Sequence, residues 1–133
     1  MRFFQGQRGV DYLGHVDRAT LVAEQRRARV MAYPCTFEEG FCIAAAECMA
    51  AGAVPVTTAD FALTTTVGEA GVLVKGRPRS WFYRRAFVNA VVQLLREDAH
   101  WRQRSSACRQ HAATWGAAAI ADRLLRLVEG GRG

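Results

Sequence analysis

The stretch Phe37-Glu38-Glu39-Gly40-Phe41-Cys42-Ile43-Ala44-Ala45-Ala46-Glu47, followed by Ala51-Gly52-Ala53-Val54-Pro55-Val56, decides how this chain is read. It spells a loop, a helix, a small-residue turn and a strand. Gly40-Phe41-Cys42 opens the helix, expected over residues 40–51, and the first amides of a helix have no intrahelical acceptor. Free N–H groups at the positive end of the helix dipole favour an anion, most often phosphate. Eight residues of helix rise about 12 Å. Glu39 at the mouth and Glu47 two turns deeper would then reach opposite ends of one extended ligand. A diphosphate between two polyhydroxylated groups has that shape.

Outward from this stretch, apolar runs alternate with helix-period segments, the pattern of βα units around a parallel sheet. Val10-Asp11-Tyr12-Leu13 is expected as a strand, and Asp17 as the cap of a helix carrying Leu21, Val22 and Ala28. Residues 29–33 form a second strand ended by Pro34, residues 53–57 a third, and residues 71–74 a short last one. Residues 60–67 are a short helix or turn. From Ser80 onward the chain reads as helix: 80–96, a break at Glu97-Asp98, then 100–114 and 116–129. The sets Phe82, Phe87, Val91, Leu94, Leu95 and Ile120, Leu124, Leu127, Val128 have helical spacing. The expected fold is α/β, with at least three parallel strands in a partial Rossmann-like sheet and a helical C-terminal third. Length allows one domain over residues 1–133, frayed at 1–9 and 130–133. Three or four strands leave a sheet edge open, and open edges invite pairing with another chain. The expectation is a homodimer, a partner chain, or helices laid over the gap.

Charge divides the chain. Residues 1–74 hold six Arg against eight acids, and residues 75–133 hold twelve basic against four acidic residues. A basic half of this kind meets nucleic acid, an anionic membrane or a phosphorylated ligand, or simply forms a solvated face. No base-stacking motif or recognition helix is present, so no specific nucleic-acid partner is expected. Four cysteines, at 35, 42, 48 and 108, have spacings that fit neither paired zinc ligands nor a Cys-x-x-Cys motif. They read as small buried residues, and no metal site is expected. The first residues lack the apolar core of a secretory leader, and no apolar run approaches the ~20 residues that span a bilayer. The expected location is the cytoplasm.

The Glu39-to-Glu47 spacing resembles the Glu-x7-Glu signature of the retaining glycosyltransferases of family 4, which have the GT-B fold. Flanking segments carry the resemblance further. Val10-Asp11-Tyr12-Leu13-Gly14-His15-Val16 is similar to that family's V-x-(F/Y)-L-G-x-(V/L) strand, and residues 28–34 to the strand after it. Gly52-Ala53-Val54-Pro55-Val56-Thr57-Thr58 is similar to its A-x-G-x-P-V-V element. Thr66-Val67-Gly68-Glu69-Ala70-Gly71-Val72-Leu73-Val74 is similar to its V-G-D-A-G-x-L-V element. The resemblance runs over residues 10–128. The chain departs from the pattern at Cys42, where Gly is frequent, and at Leu63-Thr64-Thr65-Thr66-Val67-Gly68, where L-P-E-T-V-G is frequent.

The resemblance implies the later part of a GT-B C-terminal domain, which binds a nucleotide diphosphate-sugar donor. It implies sugar transfer with retained anomeric configuration and no metal or other cofactor. The leaving diphosphate and an oxocarbenium-like state would be stabilised by basic groups and helix dipoles. Glu39 would be the catalytic residue, bonding hydroxyls of the transferred sugar. Glu47 would hold the ribose hydroxyls, and the backbone around Gly40, Phe41, Cys42 and Ile43 would face sugar and diphosphate. The family's acceptor domain and its diphosphate-neutralising Arg and Lys lie upstream of the matched part. The chain is therefore expected to be inactive alone; the alternative is a non-catalytic binding module that has kept the fold. Many members glycosylate lipids, which implies a peripheral membrane contact.

Each site residue also has a plainer reading. Glu39 serves equally as a helix cap, and Glu47 as a surface residue on an Ala-rich helix. His15 lines a cleft or is a loop bystander, and His100 and His111 face solvent. Thr64, Thr65 and Thr66 bind phosphate or start a helix. Trp101 and Trp115 read as packing anchors. The lack of Gly-x-Gly-x-x-Gly after a strand argues against a dinucleotide-binding dehydrogenase.

Overall fold

Three short apolar segments pair as a parallel sheet in the order β1-β2-β3: β1 (Val30–Tyr33), β2 (Val54–Thr58) and β3 (Val72–Val74). The computed structural model describes residues 6–130, apart from the side chains of residue 124 and residues 127–130. Val30 pairs with Val54 and Tyr33 with Thr57, while Val56 pairs with Val72 and Thr58 with Val74. All five residues of β2 are buried, so the central strand is covered on both faces. The outer edge of β1 has no strand beside it among the described residues.

Among the described residues six helices accompany the sheet: α1 (Arg18–Arg27), α2 (Ile43–Ala51), α3 (Leu63–Thr66), α4 (Trp81–Arg96), α5 (Asp98–Ala113) and α6 (Ala117–Gly130). Asp17 caps α1 by accepting from the Thr20 amide at 2.7 Å, which holds its carboxyl below the ordinary range. Ser80 caps α4 in the same way through the Tyr83 amide at 3.2 Å. Helix α4 crosses all three strands, and α2 packs on β2 and most extensively on α5. The core joins Met49 and Ala45 of α2, Val54 and Val56 of β2, Tyr83 and Leu94 of α4, and Cys108 of α5. Trp101 ties α5 to the start of β1, its indole N–H donating to the Arg29 carbonyl at 2.9 Å. The Arg29 guanidinium lies 4.5 Å above the same ring and pairs with Asp98 at 2.9 Å.

The expected α/β architecture with three parallel strands and a helical C-terminal third is present. One expected strand is not. Val10–Leu13 runs as irregular chain, with Val10, Tyr12 and Leu13 exposed. A strand forms only where a neighbour completes its hydrogen-bond ladder, and among the described residues β1, β2 and β3 pair only with each other. The N-terminal boundary of α2 also differs: the helix starts at Ile43, not at residue 40. Expectations for residues 1–5 and 131–133 lie outside the described residues.

Candidate functional site

Strand β1 ends at Tyr33, and Pro34 turns the chain into the loop that carries Glu39 to the head of α2. The loop is held at both ends. The Thr58 hydroxyl donates to the Cys35 carbonyl at 2.7 Å and lies 2.8 Å from the Tyr83 hydroxyl. The Ala62 amide donates to the Glu39 carbonyl at 3.3 Å, linking the loop to the start of α3. Phe41 packs edge-on against Trp115, with ring centroids 5.1 Å apart.

Cys42 is the N-cap of α2 and sits in the left-handed region at φ 60. A non-glycine residue there is uncommon. Its carbonyl accepts from the Ala45 and Ala46 amides, but no side chain caps the helix. Among the described residues, the amides of Cys42, Ile43 and Ala44 meet no protein acceptor. The helix end is thus left open at its positive pole.

Beside these amides lies a cavity of about 380 Å³, lined by Met31 and Tyr33 of β1, Glu39, Phe41, Cys42, Ile43 and Ala44. The Tyr33 hydroxyl donates to Glu39 Oε1 at 2.7 Å. That bond, reinforced by burial, lifts the phenol well above the ordinary tyrosine range. The Cys42 thiol is raised mainly by burial, with the Glu39 carboxylate adding to it, so it stays neutral beside the acid.

Glu39, Phe41, Cys42 and Ile43 therefore line one cavity, with Gly40 between them on the loop. Glu47 does not line it. Its carboxylate pairs with Arg18 of α1 at 2.7 Å, three-quarters buried. Because α2 begins at Ile43, Glu39 lies on the loop, and a continuous eight-residue helical rise does not separate the two glutamates. Nor is Glu39 a side-chain cap, since its carboxylate turns to Tyr33.

Sequence reasoning missed Tyr33. The available signal was the strand period: Met31 and Tyr33 share a face of β1 and both reach the cavity. His15 is exposed and does not line the cavity. His111 is half-buried, its ring nitrogen 3.2 Å from the Thr65 carbonyl, where solvent exposure was expected. Thr64 donates its hydroxyl to the Phe61 carbonyl, and Thr66 is buried. A larger concavity of about 640 Å³ lies against β3 and α5. Its Arg104 already donates to the Glu69 and Gly71 carbonyls at 2.6 and 2.8 Å. The smaller cavity is the better candidate because it combines a carboxylate with open amides.

No three His, Cys, Asp or Glu side chains converge on a metal-sized space among the described residues. Nor is any described helix long and apolar enough to cross a membrane. No curated protein and no solved structure matches the chain. Residues 2–97 do match a family model, that of the Glycosyl transferases group 1, over a span holding β1, β2, β3, the whole cavity and α4. With most of its length so matched, the chain belongs to the group 1 glycosyl transferases.

Proposed function

We propose that residues 1–133 form one domain, the donor-binding portion of a retaining glycosyltransferase that takes its sugar from a nucleotide diphosphate-sugar. One observation carries this reading: the cavity places the Glu39 carboxylate beside the unsatisfied amides at the head of α2. A carboxylate accepts sugar hydroxyls, and open helix amides accept phosphate oxygens. Tyr33 holds one Glu39 oxygen, leaving the group oriented before ligand arrives. Glu47 is assigned to the ribose. Arg18 engages its Oε1, so the hydroxyls would meet Oε2.

A second reading, binding without turnover, is favoured by the absence of any Arg or Lys among the described cavity-lining residues. A departing diphosphate develops charge that such groups neutralise. The chain would then need an acceptor domain and basic residues supplied from elsewhere. The unpaired edge of β1, next to the cavity, is where further strands from a longer chain, a partner or a second copy would join.

Titration of the ¹⁵N-labelled chain with UDP-, GDP- and ADP-sugars and the matching diphosphates tests both readings. Glu47→Ala should weaken sugar-bearing and free diphosphates alike by about tenfold to a hundredfold. Glu39→Ala should remove only the extra affinity conferred by the sugar. No perturbation of the Cys42 and Ile43 amides by any ligand would refute the site. Sugar transfer or release by the isolated chain would refute the need for a second part.

A further inference from the structure

Residues 70–96 hold six basic side chains, Lys75, Arg77, Arg79, Arg84, Arg85 and Arg96, and no acidic one. Among the described residues none of the six belongs to an ion pair, because the five salt bridges all lie elsewhere. Helix α4, which makes up the second half of this segment, is apolar on two sides. Tyr83, Phe87, Ala90, Val91 and Leu94 face the core. Trp81, Arg85, Val88, Val92 and Leu95 follow at spacings of four, three, four and three, forming a second stripe on the opposite side.

That side, with Phe82 beside it, is open except at the half-buried Val92. Trp81 is 62% exposed and Phe82 79%, with Val88 and Leu95 each more than half exposed. The Trp81 and Phe82 rings meet edge-on at 5.2 Å, and the Arg85 guanidinium stands 5.2 Å over the Trp81 ring. Single exposed apolar residues are ordinary, but four large ones, Trp81, Phe82, Val88 and Leu95, recurring along about 21 Å of one helix are not. Exposed cations in the loop before it, Lys75, Arg77 and Arg79, and on the helix itself, Arg84 and Arg85, add a sign to the partner: anionic.

We propose that the outer face of α4 docks on an anionic lipid bilayer. Trp81, Phe82, Val88 and Leu95 enter the boundary between headgroups and acyl chains, and the helix lies in the membrane plane. Lys75, Arg77, Arg79, Arg84 and Arg85 meet lipid phosphates from the rim. Tryptophan favours that boundary, where its apolar body is buried and its N–H stays wet. Each cation near an anionic surface strengthens the attraction, which salt then screens. The aliphatic part of the stripe, Val88, Val92 and Leu95, offers neither stacking nor hydrogen bonds to a nucleic-acid strand. None of these residues lines the Glu39 cavity, so the surface stands or falls apart from the donor reading.

The test is co-sedimentation of the chain with vesicles of phosphatidylcholine alone and of phosphatidylcholine mixed with phosphatidylglycerol. The chain should pellet with the mixed vesicles only, and less so as salt is raised. Trp81→Ala/Phe82→Ala should lower the partition coefficient at least about tenfold, with an unchanged melting temperature because both side chains are exposed. Arg84→Glu/Arg85→Glu should lower it about a hundredfold. Failure of the unmodified chain to bind mixed vesicles overturns the proposal, as does equal binding to neutral ones or indifference to both double variants. Retention of polyuridylate without vesicle binding would reassign the face to nucleic acid. A dimer in sedimentation equilibrium that Trp81→Ala/Phe82→Ala dissociates, again without vesicle binding, would make it an interface between copies.

Discussion

The two ends of α2 are built on opposite plans. At its C-terminal end Gly52 adopts φ 96 and gives its N–H to carbonyls of the last turn, while its own carbonyl takes the Ser105 hydroxyl at 2.7 Å. Arg109 bonds Ser105 at 3.1 Å and occupies the space a Cβ at Gly52 would need. Met49 and Cys48, one turn back, are buried against α5. At the N-terminal end the helix has no side-chain cap, its first amides have no protein acceptor, and Ile43 is 66% exposed. Anchorage at one end is what permits the other to stay unsatisfied. A nine-residue helix is marginal by itself, and here tertiary packing behind Met49 supplies the stability that the open mouth does not.

The sharpest way to break this contrast is truncation at each end. Met49→Ala should destabilise the fold by about 2–5 kcal/mol in urea unfolding, the cost of a cavity at a fully buried site. Ile43→Ala should stay within about 0.5 kcal/mol. Similar losses at both positions would show that the mouth is packed after all.

The glycines offer a second comparison. Gly52→Ala must place a side chain at positive φ and displace the Arg109 guanidinium, so a loss of about 1–3 kcal/mol is expected. At Gly40 a Cβ would meet nothing within 4 Å and the backbone is not left-handed, so Gly40→Ala should be nearly neutral. Calorimetric melting of the two variants decides between them.

A third variant probes the open end alone. Tyr33→Phe deletes the donor to Glu39 and should lower stability by about 1 kcal/mol. The same change should remove a late-ionising tyrosine from an alkaline absorbance titration, since the Glu39 carboxylate and burial raise Tyr33. Loss instead of a tyrosine that ionises in the ordinary range would mean that the Tyr33–Glu39 bond does not form in solution.

The last effect appears only at alkaline pH. Burial pushes the Cys108 thiol up from 9.0 to about 11, against the opposing pull of Arg104 and Arg109. Between these values the folded state keeps a proton that the unfolded chain has lost, so stability must fall as pH rises from about 9 to 11. Below pH 9 the thiol contributes no slope. Cys108→Ala should therefore melt with a shallower alkaline decline than the parent, although its stability at neutral pH is lower. An equal decline in both would remove Cys108 from the account.

Much of the fold was legible because its signals are local. Asp17 and Ser80 are cap residues at the positions where α1 and α4 begin. Glu97 both ends α4 and precedes α5, as the break at Glu97-Asp98 implied. The failures share one cause. Val10–Leu13 has the composition of a strand, but a strand is a pairing, and no neighbouring edge meets it here. Residues 40–42 look like the first turn of a helix. The left-handed backbone at Cys42 delays the helix to Ile43, and Phe41 turns aside to the distant Trp115.

The sequence by itself determined most of the elements, their parallel order and the group 1 glycosyltransferase character, since periodicity, caps and motif spacing are written along the chain. Tertiary structure alone decided which groups share a cavity. It brought Tyr33 onto Glu39 across the loop, drew Glu47 away to Arg18 on another helix, and left the outer stripe of α4 uncovered. Those outcomes depend on how helices and strands pack in three dimensions, and spacing along one chain does not encode the angle at which two side chains meet.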